Sequence, residues 1–261
     1  MTQSKTALIT GASGGIGFEL AKIFAKNRYH LVLVARNEQR LKEIAEDLRK
    51  EHGISVRVIA KDLAHADAPK EIFETLQSES IHIDILVNNA GYTVFGEFSK
   101  TSLTDELQMI QVNIVALTHL TKLFLPEMLK KKSGRILNLG STAAFQPGPL
   151  MAIYYASKSY VLFFSEALAE ELRNTGVTVT ALCPGPTETG FQKRGKMETS
   201  RLVAGKKIMD ASTVAEIGYQ ALMKGKAVVI PGLKNKILAQ SIRFSPRRLT
   251  PRLVKHLQKS K

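Results

Sequence analysis

Short runs of apolar residues alternate along the chain with longer stretches of helical period. Residues Thr6–Thr10 and His30–Ala35 read as strands, and the segments that follow them, 15–27 and 38–51, carry apolar side chains three and four apart. The rhythm continues with Val-, Ile- and Leu-rich runs at 56–59, 83–87, 135–139, 177–182 and 227–230, with helical-period segments between most of them. Strands apolar on both faces and separated by helices predict a parallel sheet covered on both sides. With right-handed crossovers this is an α/β fold, a Rossmann-like doubly wound sheet of about seven strands. No linker, repeat or low-complexity segment interrupts the pattern, so residues 1–232 are expected to form a single domain, with a basic C-terminal extension at 233–261.

Composition sharpens this reading. With 261 residues, 44% of them hydrophobic, the chain can bury a substantial core. No uninterrupted apolar window of about 18 residues occurs, and residues 1–5 lead straight into the first apolar run, so a chain without a span or a cleaved leader is expected. Cys183 is the only cysteine, which excludes an internal disulfide and predicts a buried residue in a reducing, cytoplasmic protein. The six histidines form no pair at zinc-site spacing, and no metal is expected.

The net charge of +14 is unevenly spread. Eleven of the 37 Lys and Arg lie beyond Glu216, and none of the 23 acidic residues does, so residues 1–216 are nearly balanced. The basicity belongs to the tail, and no nucleic-acid partner is expected for the domain.

The first run ends in Thr10-Gly11-Ala12-Ser13-Gly14-Gly15-Ile16-Gly17 and opens directly into a helix. Glycines permit a tight turn and close approach of a pyrophosphate, and the helix N-terminus presents free N–H donors. The spacing Gly-x-x-x-Gly-x-Gly departs from the common Gly-x-Gly-x-x-Gly fingerprint. At the end of the second strand, where an NAD site places an acid against the ribose diol, the chain reads Val34-Ala35-Arg36-Asn37. Arg36 suits a 2′-phosphate, so NADP(H) is expected rather than NAD(H).

In Tyr154-Tyr155-Ala156-Ser157-Lys158, Tyr154 and Lys158 stand at i and i+4, so on a helix the ammonium can lower the phenol pKa and make it a proton donor and acceptor. Tyr155 and Lys158, at i and i+3, leave an alternative open.

At this point the chain resembles the short-chain dehydrogenase/reductase family, over nearly all of residues 5–232. The glycine turn matches the family's cofactor motif, Asp62-Leu63 its adenine contact, and Asn88-Asn89-Ala90-Gly91 its sheet-stabilising motif. Asn113, Ser141, Tyr154 and Lys158 fall where the family's catalytic tetrad belongs, and Pro184-Gly185 with Thr187 and Thr189 resembles the loop that holds the nicotinamide carboxamide. The resemblance implies an oxidoreductase that moves a hydride between NADP(H) and a carbonyl or secondary alcohol. Ser141 would hold the substrate oxygen, Tyr154 transfer the proton, Lys158 lower the tyrosine pKa and bond the ribose, and Asn113 hold a relay water. It also implies a homodimer or homotetramer packed through the helices that carry Asn113 and Tyr154.

Positions around the reacting carbon are mostly apolar: Tyr92, Val94, Phe95, Ala143, Ala144, Phe145, residues 147–151 and Phe191. Such a pocket suits a hydrophobic ketone, aldehyde, secondary alcohol or 3-ketoacyl substrate. Residues 189–205, with Gln192, Lys193, Arg194, Lys196 and Arg201, read as a lid over the pocket, whose basic side chains could either attract a phosphate-bearing thioester or simply be solvated. A cofactor-binding regulator without chemistry is the competing class, and the intact tetrad argues against it. In the tail, Leu249, Leu253, Val254 and Leu257 form an apolar stripe with a cationic flank. Three fates stay open for it: packing on the domain or lining the pocket, lying on an anionic membrane surface, or meeting an acidic protein or nucleic acid.

Overall fold

The computed structural model describes residues 5–190 and 208–258. A seven-stranded sheet of parallel strands runs through the molecule in the order β3-β2-β1-β4-β5-β6-β9. Its strands are β1 (Thr6–Thr10), β2 (His30–Ala35), β3 (Val56–Ala60), β4 (Ile85–Asn88), β5 (Gly134–Leu139), β6 (Val177–Leu182) and β9 (Val228–Val229). The order reverses between β1 and β4, which opens a crevice at the carboxyl ends of these two strands. The doubly wound, single-domain architecture expected from the alternation is the one observed.

Alternation along each strand feeds two cores. Ala7 and Ile9 of β1 join Leu31 and Leu33 of β2 under α1 (Gly15–Lys26), α2 (Glu38–His52) and α7 (Ala211–Met223), where Phe24, Leu41 and Leu222 are buried. Leu8, Val32 and Val34 point the other way, under α3 (Ala68–Ser78), α5 (Leu117–Lys130) and α6 (Ala152–Glu171), with Ile72, Phe124 and Leu172. A preceding helix, α4 (Leu103–Ile110), runs into α5 through a π-helical turn at Gln111–Ala116 that contains Asn113.

Some boundaries differ from the sequence pattern. β4 starts at Ile85 instead of 83, because the Asp84 carboxylate takes the Thr6 N–H at 2.8 Å where a ladder carbonyl would otherwise stand. β9 is confined to Val228 and Val229, since only Ala181 and Leu182 of β6 pair with it. A two-residue parallel pair, β7 (Thr187–Glu188) with β8 (Met209–Asp210), was not expected at all.

The tail forms α8 (Leu233–Ser241), a 3₁₀ turn (Ile242–Phe244) and α9 (Thr250–Gln258), with Pro251 tolerated in the first turn of α9. Here the expected stripe is split. The buried face of α9 is Thr250, Val254 and Gln258, spaced by four, whereas Leu249 and Leu253 are 55% and 62% exposed. The physical reason is the partner of that face: Val254 packs with Met109, Met151, Tyr154 and Tyr155, and the Gln258 amide Nε2 donates to the Tyr155 hydroxyl at 2.7 Å.

Candidate active site

The crevice is a cleft of about 830 Å³ that runs from the glycine turn past Arg36 and Asp62 to Ser141, Tyr154 and Lys158. Its foundation is a polar network at the sheet's switch point. The Thr10 hydroxyl donates to the Val87 carbonyl and accepts from the N–H groups of Asn89 and Ala90, each at 3.0 Å. The Asn89 amide donates to the carbonyls of Thr10 and Gly11. Asn88 donates to Asn138, and Asn138 to Ser165, so β4, β5 and α6 are tied together inside the core.

The glycines of the turn have different duties. Gly11 and Gly15 adopt φ of +66° and +55°, a region that only glycine enters without strain. Among the described residues, the space beside Gly14 is open and no side chain caps α1, so its N–H donors face the cleft beside Ser13, Gly15 and Ile16. Gly17, expected to face the cofactor, instead packs inward: a Cβ there would lie 2.4 Å from Asn89 Nδ2 and 2.5 Å from the Gly11 carbonyl. It sets the close approach of helix to strand. Arg36 is exposed at the cleft's far end, its guanidinium 3.7 Å from Asp62, while Leu63, Ala90 and Gly91 complete the wall.

At the other end, Tyr154 and Lys158 project from one face of α6, as the spacing predicts, and both are buried. The Lys158 ammonium donates to the Leu139 carbonyl at 2.7 Å and sits 5.8 Å from the centre of the Tyr154 ring. Burial pushes its pKa down to about 8. Burial pushes the Tyr154 phenol up, and the bond with Ser141 pulls it partly back. Desolvation dominates both groups, and the bond from Ser141 is what favours the phenolate. Ser141 Oγ accepts from the Ala143 N–H at 3.1 Å, which orients it. Tyr155, the alternative partner of Lys158, lines the cleft, but its hydroxyl accepts from the Gln258 amide.

Asn113 lies behind the cleft wall. Its amide donates to the Tyr92 carbonyl at 3.0 Å and to Ser157 Oγ at 3.1 Å, and its Oδ1 accepts from the Tyr92 N–H. Ser157 in turn donates to the Tyr154 carbonyl at 2.7 Å, so the asparagine is connected to the first turn of α6. Ser157 lies inside the Tyr154–Lys158 motif, but the spacing assigned it no role.

Pro184, Gly185, Thr187 and Thr189 line the cleft opposite the glycine turn. Gly185 is pressed against Asn235 of α8; a Cβ on it would lie 2.6 Å from the Asn235 amide. That contact, too, had no signature in the sequence. Among the apolar wall residues, Tyr92, Ala143 and Met151 face the cleft, with Val94 and Phe95 packed behind them. Phe145, expected as a substrate contact, is corrected: it packs with Ala144, Leu162, Ala181 and Cys183 into a small satellite core. Phe191 and the basic loop positions lie outside the described residues. Cys183 is fully buried, and its thiol is pushed up to about 12 by burial.

A doubly wound sheet with a glycine-lined cleft at its switch point and a buried Ser-Tyr-Lys group at its end defines a dinucleotide-binding oxidoreductase fold. The family model for short chain dehydrogenase matches residues 5–199. The chain is 34% identical over 206 residues to an uncharacterized oxidoreductase of Staphylococcus epidermidis, which covers 77% of this chain and 88% of that one. It is 30% identical over 244 residues to the very-long-chain 3-oxoacyl-CoA reductase of Rattus norvegicus, covering 91% and 77% of the two chains. Among solved structures, a short-chain dehydrogenase from Sphingobium yanoikuyae in complex with NADPH superposes with a TM-score of 0.83 at 32% identity, over 92% of this chain and 94% of that one. The bulky-bulky ketone specific alcohol dehydrogenase from Comamonas testosteroni gives 0.79 at 30%, over 96% and 100%. The chain belongs to the short-chain dehydrogenase/reductase family, and it is an oxidoreductase of that family.

Proposed function

We propose that this protein reduces the carbonyl of a hydrophobic ketone, aldehyde or 3-ketoacyl compound with NADPH, in the reducing setting of the cytoplasm that its single unpaired thiol suits. The observation that carries this reading is the placement of Tyr154, buried beside Ser141 and Lys158 at the end of a cleft whose other end is the glycine turn. The cleft fits a dinucleotide: its glycines leave room for a backbone approach, and the uncapped start of α1 offers N–H donors to a pyrophosphate. Gly11, Ser13, Gly14, Gly15 and Ile16 would hold the phosphates, and Asp62, Leu63, Asn89, Ala90 and Gly91 would flank the adenosine half. Pro184, Gly185, Thr187 and Thr189 would face the nicotinamide. Arg36 would meet a 2′-phosphate, and Lys158 a ribose hydroxyl. When bound, the dinucleotide supplies the hydride.

The residues of the chain manage the proton. Burial keeps the Tyr154 phenol protonated at neutral pH, so it enters the reaction as an acid, able to protonate the oxygen of a carbonyl as negative charge develops there. Ser141 holds the same oxygen: the Ala143 N–H fixes its Oγ beside the Tyr154 hydroxyl, and its O–H would turn from the tyrosine to the carbonyl oxygen when substrate enters. Asn113 is a positioning residue, acting through Ser157 and the Tyr92 backbone. Tyr92, Ala143 and Met151 give the substrate end an apolar wall, and the likeness to a 3-oxoacyl-CoA reductase and a bulky-ketone alcohol dehydrogenase supports a large hydrophobic substrate. Exposed Leu103, Leu107, Tyr160 and Phe163, on the helices that carry or continue into Asn113 and Tyr154, support a homodimer or homotetramer packed there. The test is NADPH oxidation against a panel of ketones, aldehydes, steroids and acyl thioesters. Turnover should be fastest with bulky apolar carbonyls; no NADPH consumption with any of them, or a preference for small charged acids, would overturn the reading.

A further inference from the structure

The splitting of the tail's apolar stripe leaves apolar side chains uncovered among the described residues. Leu233, Ile237 and Leu238 of α8, Phe244 at 88% exposure, and Leu249 and Leu253 at α9 all stand in solvent. Cations are interleaved with them in sequence: Lys234, Lys236, Arg247, Arg248, Arg252 and Lys255, all exposed. None of these six makes a salt bridge among the described residues. The chain beyond Glu216 contains no Asp or Glu; from the domain, Glu97 lies near enough to feel the charge of Lys255.

We propose that the segment 233–258 docks the protein on an anionic lipid bilayer, with these apolar side chains in the headgroup boundary and the interleaved Lys and Arg against lipid phosphates. Charge and polarity together select this occupant. A second copy would bring an identical cationic segment to the same face, and like charges would repel. Nucleic acid would satisfy the cations but offer no apolar layer in which to bury leucines. An anionic bilayer offers both. The segment is also anchored for such a role, because the opposite face of α9 is fixed to the domain through Val254 and the Gln258–Tyr155 bond. Those contacts belong to the wall of the cleft, so docking would place the substrate end next to the lipid.

The experiment is flotation of the full chain with vesicles of phosphatidylcholine alone or mixed with phosphatidylglycerol. The protein should float only with the mixed vesicles, and should be released as the Debye length shrinks from about 30 Å to about 3 Å on adding salt. Leu249→Glu with Leu253→Glu should abolish flotation, and each of Arg252→Gln and Lys255→Gln should weaken it about five-fold. Phe244→Ser, at a side chain with almost no contacts to lose, should weaken it without altering the melting temperature. Three results would overturn the proposal: no flotation of the full chain at low salt, flotation unchanged by the leucine and phenylalanine substitutions, or a leucine variant that changes the oligomeric mass, which would make the face a subunit contact. None of these readouts depends on turnover, so the docking stands or falls separately from the proposed reaction.

Discussion

Gln258 Nε2 donates to the Tyr155 hydroxyl at 2.7 Å across 103 positions of sequence, in a fully buried setting directly beside Tyr154. Removing one partner leaves a buried polar group unpaired, so Gln258→Leu or Tyr155→Phe alone should each cost about 1–3 kcal/mol. The double substitution should cost less than the sum, since both polar groups then disappear. Denaturant melts of the four proteins check this; strict additivity would show that the two side chains do not interact.

Tyr154→Phe keeps the ring and removes only the hydroxyl. Cofactor titration by fluorescence should be nearly unchanged, while turnover should fall by about a hundredfold or more. A variant that kept half the parental rate would remove Tyr154 from the mechanism.

Arg36→Ala should lower kcat/KM with NADPH by roughly ten- to a hundredfold, the worth of a bond to a charged group. The value with NADH should hardly change. Comparable losses with both cofactors would mean that the guanidinium, exposed and 3.7 Å from Asp62, serves the fold and not a 2′-phosphate.

Lys158 gives a prediction with a sign that runs against intuition. Its pKa falls from 10.5 to about 8 in the folded chain, so the unfolded chain binds more protons between those values and stability rises with pH across that window. Below about pH 8 the buried ammonium costs about 3 kcal/mol, offset by about 2 kcal/mol for its bond, as a charged donor, to the Leu139 carbonyl. Lys158→Met should therefore melt higher than the parent at neutral pH, lose that advantage toward pH 10.5, and be nearly inactive. Thermal melts of the cofactor-free proteins across this range decide it; a variant less stable at pH 7 would mean the ammonium is adequately solvated where it sits.

Strands bounded by sharp changes in hydropathy were fully legible: β2 and β6 occupy the expected residues because both of their faces are buried. The glycine turn and the Tyr154–Lys158 pair were legible for a related reason, since φ above zero and a helical repeat are local constraints that leave local marks. Contacts between distant segments leave none. Nothing in the order of residues announces that Asn235 fills the space beside Gly185, or that Gln258 reaches Tyr155. The stripe on α9 misled because periodicity gives the spacing of apolar side chains but not which row faces inward; a threonine, a valine and a glutamine prevailed over the leucines once Tyr155 offered a hydrogen bond. Phe145 misled in the same way, its neighbour Ala143 facing the cleft while Phe145 itself packs with Cys183.

Cys183 has a practical use. With no accessible surface and a thiol pushed up to about 12, the native sulfur is silent toward maleimides and nitroxide reagents under ordinary labelling conditions. A cysteine introduced at Lys236, Phe244 or Arg252 would then be the one reactive thiol among the described residues. The wild-type chain can thus serve as its own background for spin labels or environment-sensitive dyes, and the depth and orientation of the C-terminal helices could be read directly, position by position.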